Sequence, residues 1–461
     1  MKPMRPRCGL RRTDPSPVLL VTGLVLSLAL AACTSGSGSP DASAESSSAL
    51  ASPGASAGVG QVVPAPGSDS RIFGPNPGAI VVGIDPGHGG CLDWGVPNPY
   101  DNTVERSEKA LTLAISLALR ERLQADGVTV VMTRDTDVAL AGDLYPDLGC
   151  HGDPFRDVNG DGLAGFGPDL PEATRTRDEL SAHIDLLNLA RADVLLSVHI
   201  NSFTENGVVI EVAGTETYWT DETPWGVPHS ERLATEVQAE VVAALDGLAP
   251  YERQDRGTDA VNYYVIAPPT TTGDPAEPRR GSLMPGALAE VGSMSLAAEA
   301  DLLATAEGQQ AIADALLEAL VAWFDGREYA ARLDLEVPGG EAGRLPEVVP
   351  GTGPPFWAVA VDDPTELRLR LTNTGPTTWP ADVSLLVGWS SSADPYLARP
   401  PELVPLAADV PPLAPGESVV LVLDVPLSTA GGRSVAWVTL EIEGVVLTDT
   451  GIPALQFASE G

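Results

Sequence analysis

AIVVGIDPGHGG, residues 79–90, decides the reading of this chain. Ala79 to Ile84 is apolar and rich in β-branched residues, the composition of a strand covered on both faces. Asp85-Pro86-Gly87-His88-Gly89-Gly90 breaks the strand and leaves an imidazole at its carboxyl end, where open α/β sheets place their ligands. A second strand-like run, Asp193 to Val198, ends the same way in His199 and Asn201. Two strands delivering one histidine each to one rim form the skeleton of a metal site.

Around these two strands the pattern alternates. The spacing of Leu111, Ile115, Ala118, Leu119 and Leu123 predicts a helix over about 107–124, and Gly127 precedes a strand at 128–132. A helix is expected at 178–191, short strands at 207–212, 261–267 and 287–291, and helices at about 230–245 and 308–324. Strands alternating with helices predict a layered α/β domain with a central, mostly parallel twisted sheet and helices on both faces, residues 79–328. It is interrupted by an insertion at 141–172, rich in Gly, Asp and Pro, in which Asp157, Asn159 and Asp161 alternate as the oxygen ligands of Ca2+ loops do. The twelfth position from Asp157 is Pro168 rather than Glu, so the segment is a candidate calcium loop and not an EF-hand.

The ends of the chain read differently. Lys2, Arg5, Arg7, Arg11 and Arg12 precede an apolar stretch, Val18 to Ala32, which together form a signal peptide over 1–32. Leu30-Ala31-Ala32-Cys33 resembles the bacterial lipobox, which implies lipidation of Cys33 and an exported protein anchored to the membrane and facing the cell wall. Residues 33–78 hold few large apolar side chains and form a tether. Cys91 and Cys150 then remain as a candidate disulfide. A formal net charge of −36 excludes nucleic acid as a partner, because phosphate binding needs a basic footprint. Residues 329–362 are expected as a linker. From 363 to 461, short alternating runs such as ELRLRLTNTG predict a small antiparallel β-sandwich. There Trp379, Trp389 and Trp437 are candidates for a sugar-binding face or for core.

A catalytic zinc commonly has three protein ligands and an open position, so His88 and His199 call for a carboxylate. Glu105 and Glu108, at the start of the first helix, both qualify, and the residues alone do not choose between them. Glu290, at the end of the last strand, is the candidate base; its alternative is a partly buried carboxylate paired with an arginine such as Arg134.

The segments VVGIDPGHGG (81–90), SEKALTLAISLALRERLQADGVTVVMTRDTD (107–137), ADVLLSVHINS (192–202) and ALAEVGSMSLAAEADLL (287–303) resemble the successive motifs of the zinc-dependent N-acetylmuramoyl-L-alanine amidases of the amidase_3 type. The resemblance implies Zn2+ held by His88, Glu108 and His199, with Glu290 as the catalytic carboxylate, and it selects Glu108 over Glu105 through the pair Glu108-Lys109. It further implies peptidoglycan as the substrate and the amide between N-acetylmuramic acid and L-alanine as the scissile bond. A catalytically weak peptidoglycan-binding or regulatory protein, and a zinc peptidase cutting another stem-peptide bond, are the alternatives. The chain departs from the pattern at His183, where the family carries an arginine, at Leu187, and at Gly292-Ser293-Met294-Ser295-Leu296. His183 is expected on a helix surface, with a spare metal ligand as its other reading. In the C-terminal region, LTNTGPTTWP (371–380), PLAPGESVVL (412–421) and the strand around Trp437 resemble an immunoglobulin-like module.

Overall fold

The computed structural model describes Phe73 and residues 77–91, 93–142, 171–222, 226–268, 281–336, 357–359, 367–391, 402–406, 408–423 and 433–460. The signal peptide and Cys33, nearly all of the tether, Cys150 and the candidate calcium loop Asp157, Asn159 and Asp161 lie outside them. Among the described residues no helix is long and apolar enough to cross a membrane.

The first domain runs β1 (Val81–Pro86), α1 (Glu108–Ala125), β2 (Thr129–Met132), α2 (Pro171–Ala190), β3 (Val194–Asn201), β4 (Thr204–Glu205), β5 (Val208–Val209), β6 (Gly214–Trp219), α3 (Glu231–Asp246), β7 (Gln254–Ala260), β8 (Gly286–Ser293), α4 (Ala297–Leu303) and α5 (Ala306–Asp325). Six strands form one sheet in the order β2-β1-β3-β8-β6-β7. Every pairing is parallel except β6 with β8, so the sheet is mixed and mostly parallel. β1 is buried along its whole length because it lies between β2 and β3 with helices over both faces. On one face Leu111, Ile115 and Leu119 of α1 pack with Val237 and Val241 of α3 and Leu316 and Leu320 of α5. On the other, Ile184 and Leu187 of α2 meet Val81, Leu195 and Leu288. Each such fully buried side chain contributes roughly 1.5–3 kcal/mol. Gly127, at φ 84°, ends α1: its left-handed turn lets the Val128 N–H reach the Leu123 carbonyl and starts the chain back toward β2.

Several elements differ from the expectations. The strand expected at 207–212 is the second arm of a small hairpin, β4–β5, turned at Asn206-Gly207 with both residues at positive φ. The sheet strand of this region is β6, whose sequence GTETYW lacks an aliphatic run. Its inward Thr215 and Thr217 are satisfied by bonds from their hydroxyls to the Val291 carbonyl (3.0 Å) and Gln238 Oε1 (2.9 Å). The strand expected at 261–267 is a turn that buries Val265, Ile266 and Ala267, and the strand precedes it as the polar edge β7. Polar and charged residues suit an edge.

The expected linker is also shorter at its start. Ala331–Glu336 forms β9, which pairs antiparallel with β11 (Leu367–Asn373) after β10 (Trp357–Val359). Leu333 and Leu335 lie opposite Leu371 and Leu369, so the apolar alternation of β9 belongs to the C-terminal core. β12 (Ser384–Ser391), β13 (Val404–Leu406), β14 (Ser418–Leu423), β15 (Arg433–Ile442), β16 (Val445–Val446) and β17 (Leu455–Glu460) complete it. A three-stranded sheet, β14-β11-β9, and a sheet ordered β10-β17-β15-β12-β13, with β16 on β15, share one core. Trp379 is fully buried in that core and Trp437 is fully buried as well, which removes both from any sugar-binding face.

Candidate active site

The carboxyl ends of β1, β3 and β8 converge on one rim. His88 follows β1 at φ 63°, a left-handed conformation that lifts its ring off the strand direction. His199 lies on β3 directly opposite Glu290 of β8, and Glu108 opens α1 beside both histidines. Glu108 Oε2 lies 3.1 Å from His88 Nε2, and Oε1 lies 3.1 Å from His199 Nδ1. One ligand atom from each of the three lies within 4.8 Å of the others. The structure thus brings together all four residues read from the sequence. Glu105 sits in the preceding turn, outside the cluster.

The surroundings fix these side chains. Both oxygens of buried Glu108 also accept backbone N–H groups, from Val96 (2.6 Å) and Ile200 (2.9 Å). His88 Nδ1 meets Asp93 Oδ1 at 2.8 Å, and with the proton there Nε2 presents its lone pair to the cluster. A carboxylate behind a histidine is the usual support for a metal-binding imidazole. Two imidazole nitrogens and one carboxylate oxygen fit a divalent transition metal with a position left open. Charge balance agrees. Burial disfavours the His88 imidazolium, yet Glu108 and Asp93 outweigh it and hold its pKa well above the ordinary value. Burial alone would raise Glu108, but His88 and His199 hold it far below the carboxylate range. A bound cation would supply the positive charge these groups call for.

Glu290 behaves differently. Its Oε2 is buried and has no hydrogen-bond partner among the described residues, and burial pushes its pKa up to about 7, with His199 opposing and Glu108 reinforcing the rise. Arg134 does not pair with it. That guanidinium is spent on the carbonyls of Pro86, Gly87 and Lys109, where it braces the turn carrying His88.

His183 is neither a surface residue nor part of the metal cluster. It is buried between Asp85 (Nδ1 to Oδ1, 2.6 Å) and Glu179 (Nε2 to Oε1, 3.1 Å). Asp85 also accepts the Ser197 and Thr133 hydroxyls, and Glu179 accepts the N–H groups of Leu140 and Ala141. Periodicity allowed His183 a surface position because its carboxylate partners come from β1 and from its own helix one turn earlier. Asp93 and Glu216 were also missed. Glu216 lies in the unrecognised strand β6, opposite Glu290.

Gly87 is required by close approach. A Cβ there would collide with the His199 ring. Gly87→Ala is expected to keep the fold and to lower bound metal well below that of the parent protein, measured by mass-spectrometric metal analysis of the dialysed full chain.

Residues 82–322 match the family described as Amidase_3, N-acetylmuramoyl-L-alanine amidase. The chain belongs to that family. Among curated relatives it is 26% identical over 242 residues to the uncharacterized protein YqiI of Bacillus subtilis, covering 52% of this chain and 84% of the relative. It is 23% identical over 244 residues to the germination-specific N-acetylmuramoyl-L-alanine amidase of the same organism, covering 53% and 79%. Among solved structures, the amidase AmiC2 of Nostoc punctiforme aligns at 24% identity and TM-score 0.36, over 54% of this chain and 98% of its own. Membership in the Amidase_3 family makes this chain an amidase, and peptidoglycan is the substrate that family membership assigns.

Proposed function

We propose that the chain is a zinc-dependent hydrolase of the amide between N-acetylmuramic acid and the L-alanine of the peptidoglycan stem peptide. The observation that carries this is the buried Glu290 Oε2, without a hydrogen-bond partner among the described residues, on a side chain in register with His199 and beside the His88, Glu108 and His199 cluster. His88, Glu108 and His199 would hold the ion, and zinc, when bound, would supply activation of water and polarisation of the carbonyl. Glu290 takes a proton from the attacking water as its oxygen adds to the amide carbon. Glu290 then returns that proton to the nitrogen as the carbon–nitrogen bond breaks, and the water's second proton passes from the new carboxyl group to the amine, leaving a muramic carboxylate and a protonated alanine amine. A pKa near neutrality suits a group that must both accept and release a proton.

Further parts of the proposal follow the chain. Cys91 is disulfide-bonded, and Cys150 is the partner its sequence context favours, which would tie the 141–172 insertion to the metal turn. The N-terminal basic and apolar segment with Cys33 supports export and a lipid anchor, and the C-terminal sandwich is read as immunoglobulin-like.

The test uses purified full chain with peptidoglycan. Zinc-loaded protein is expected to release stem peptides bearing a free L-alanine amine, detected by mass spectrometry. Chelator-treated protein should release none until zinc is restored. Peptides cut at another bond would overturn the assignment.

A further inference from the structure

Beyond Glu290 the row of facing side chains continues across the sheet. His199, Glu290 and Glu216 stand opposite one another on β3, β8 and β6, and residues in register share a face. At the next strand the register shifts: Thr215 pairs with Asp255 and Thr217 with Thr258, so Arg256 and Gly257 together oppose Glu216. Gly257, at φ 79°, supplies the left-handed residue of this bulge. A bulge re-aims the side chain it carries, and here that side chain is Arg256.

Arg256 is held from two sides. Its Nε donates to Glu216 Oε2 at 3.1 Å, and its guanidinium lies over the Phe203 ring, 4.4 Å from the centroid. Phe203 follows β3 just past His199 and Asn201, which puts the stack on the rim of the catalytic site. The two terminal nitrogens make no hydrogen bond with a described residue, and the side chain is 29% exposed. A guanidinium fixed through Nε and a ring face, with its terminal fork open, is preorganised for a carboxylate.

We propose that Arg256 is the receptor for a free carboxylate on the second residue of the stem peptide, and so a specificity-determining residue of this enzyme; this rests on the amidase reading above. The spacing agrees. From β8 to β7 is two strand spacings, about 10 Å, and the Arg256 head group leans back over β6 toward Glu216. Two extended residues beyond the scissile bond reach about 7 Å. The second stem residue continues the peptide through its side-chain carboxyl, which leaves its α-carboxyl free to meet the fork. Capping that group as an amide removes the charge the fork would read.

The test measures binding of N-acetylmuramoyl-L-alanyl-D-glutamate and of its α-amide to zinc-loaded full chain carrying Glu290→Gln, so that neither ligand is consumed. The free acid is expected to bind about tenfold tighter, the scale of one charge-assisted pair. Adding Arg256→Gln should bring the two dissociation constants within about twofold by weakening the acid alone, and Arg256→Lys should keep part of the preference because it keeps the charge but not the fork. Glu216→Gln should widen the preference by removing the competing carboxylate. A preference that survives Arg256→Gln, or equal binding of both ligands to the Glu290→Gln protein, overturns the assignment to Arg256 and leaves the amidase reading standing. Failure of both ligands to bind overturns the two together.

Discussion

Glu290→Gln is expected to lower the rate of muramoyl-peptide hydrolysis by about 10²–10⁴-fold, the usual contribution of a general base that becomes a general acid. Glutamine keeps the shape of the side chain but can neither take the water's proton nor return one to the leaving nitrogen. Metal content should be unchanged, because the His88, Glu108 and His199 cluster is complete without Glu290. The comparison is therefore kcat against bound zinc in the same preparation. A fall in rate that tracks metal loss would make Glu290 a supporting residue. A variant with zinc intact and full rate would remove Glu290 from the chemistry.

His183→Leu is expected to produce the largest loss of stability at a single position outside the metal site. It leaves Asp85 and Glu179 buried without the cation between them, and breaking a buried ionic network by removing one member costs about 3–5 kcal/mol. At about 2–4 °C per kcal/mol for a domain of this size, the unfolding midpoint should fall by roughly 10 °C. The network also has a pH signature. Burial alone would lower the His183 pKa, but Asp85 and Glu179 raise it from 6.5 to about 10. A folded-state pKa above the unfolded one means that the contribution is complete below pH 6.5 and is lost as pH rises toward about 10. On the acid side the signs reverse, since Asp85 and Glu179 are held below their ordinary values and their contribution fades as they protonate. Arg134 also interacts with both carboxylates, and burial lowers its pKa from the ordinary arginine value, so the alkaline loss is assigned by substitution at His183. His183→Arg, which cannot deprotonate there, should flatten the alkaline slope of denaturant midpoint against pH; an unchanged slope would assign it elsewhere.

Apolar strands and the chemistry at their ends made the site legible in the sequence. β1 is buried throughout and β3 as far as Val198, so their composition announces them, and the histidine that follows each buried run announces the rim. Glu108 was ambiguous with Glu105 until the family motif separated them, because helical phase over three residues does not say which carboxylate turns inward. The far half of the sheet was hidden for a different reason. β6 satisfies its buried threonines through hydroxyl bonds and β7 is a polar edge, so neither carries the aliphatic signature that periodicity detects. The residues missed at the rim, Glu216 and Arg256, are the ones on those strands. β9 was missed because its apolar partners are about forty residues further along the chain.

The pairing of β9 bears on how this chain can be divided. Only five residues separate α5 from that strand, and polar contacts cross between the halves. Arg191 reaches Asp334 at 2.9 Å, Arg332 donates to the Arg191 carbonyl, and His229 meets the Asp449 carbonyl at 2.9 Å. Arg327, stacked 3.8 Å from the Trp323 ring centroid, reaches the Gly451 carbonyl. These contacts gather where β3 begins, at the opposite end of that strand from His199. A protease or a gene fusion acting near residue 328 would strip a buried arginine of its cover and leave the enzyme with a raw, charged underside. The sandwich thus shields charged groups of the catalytic domain on the side away from His199.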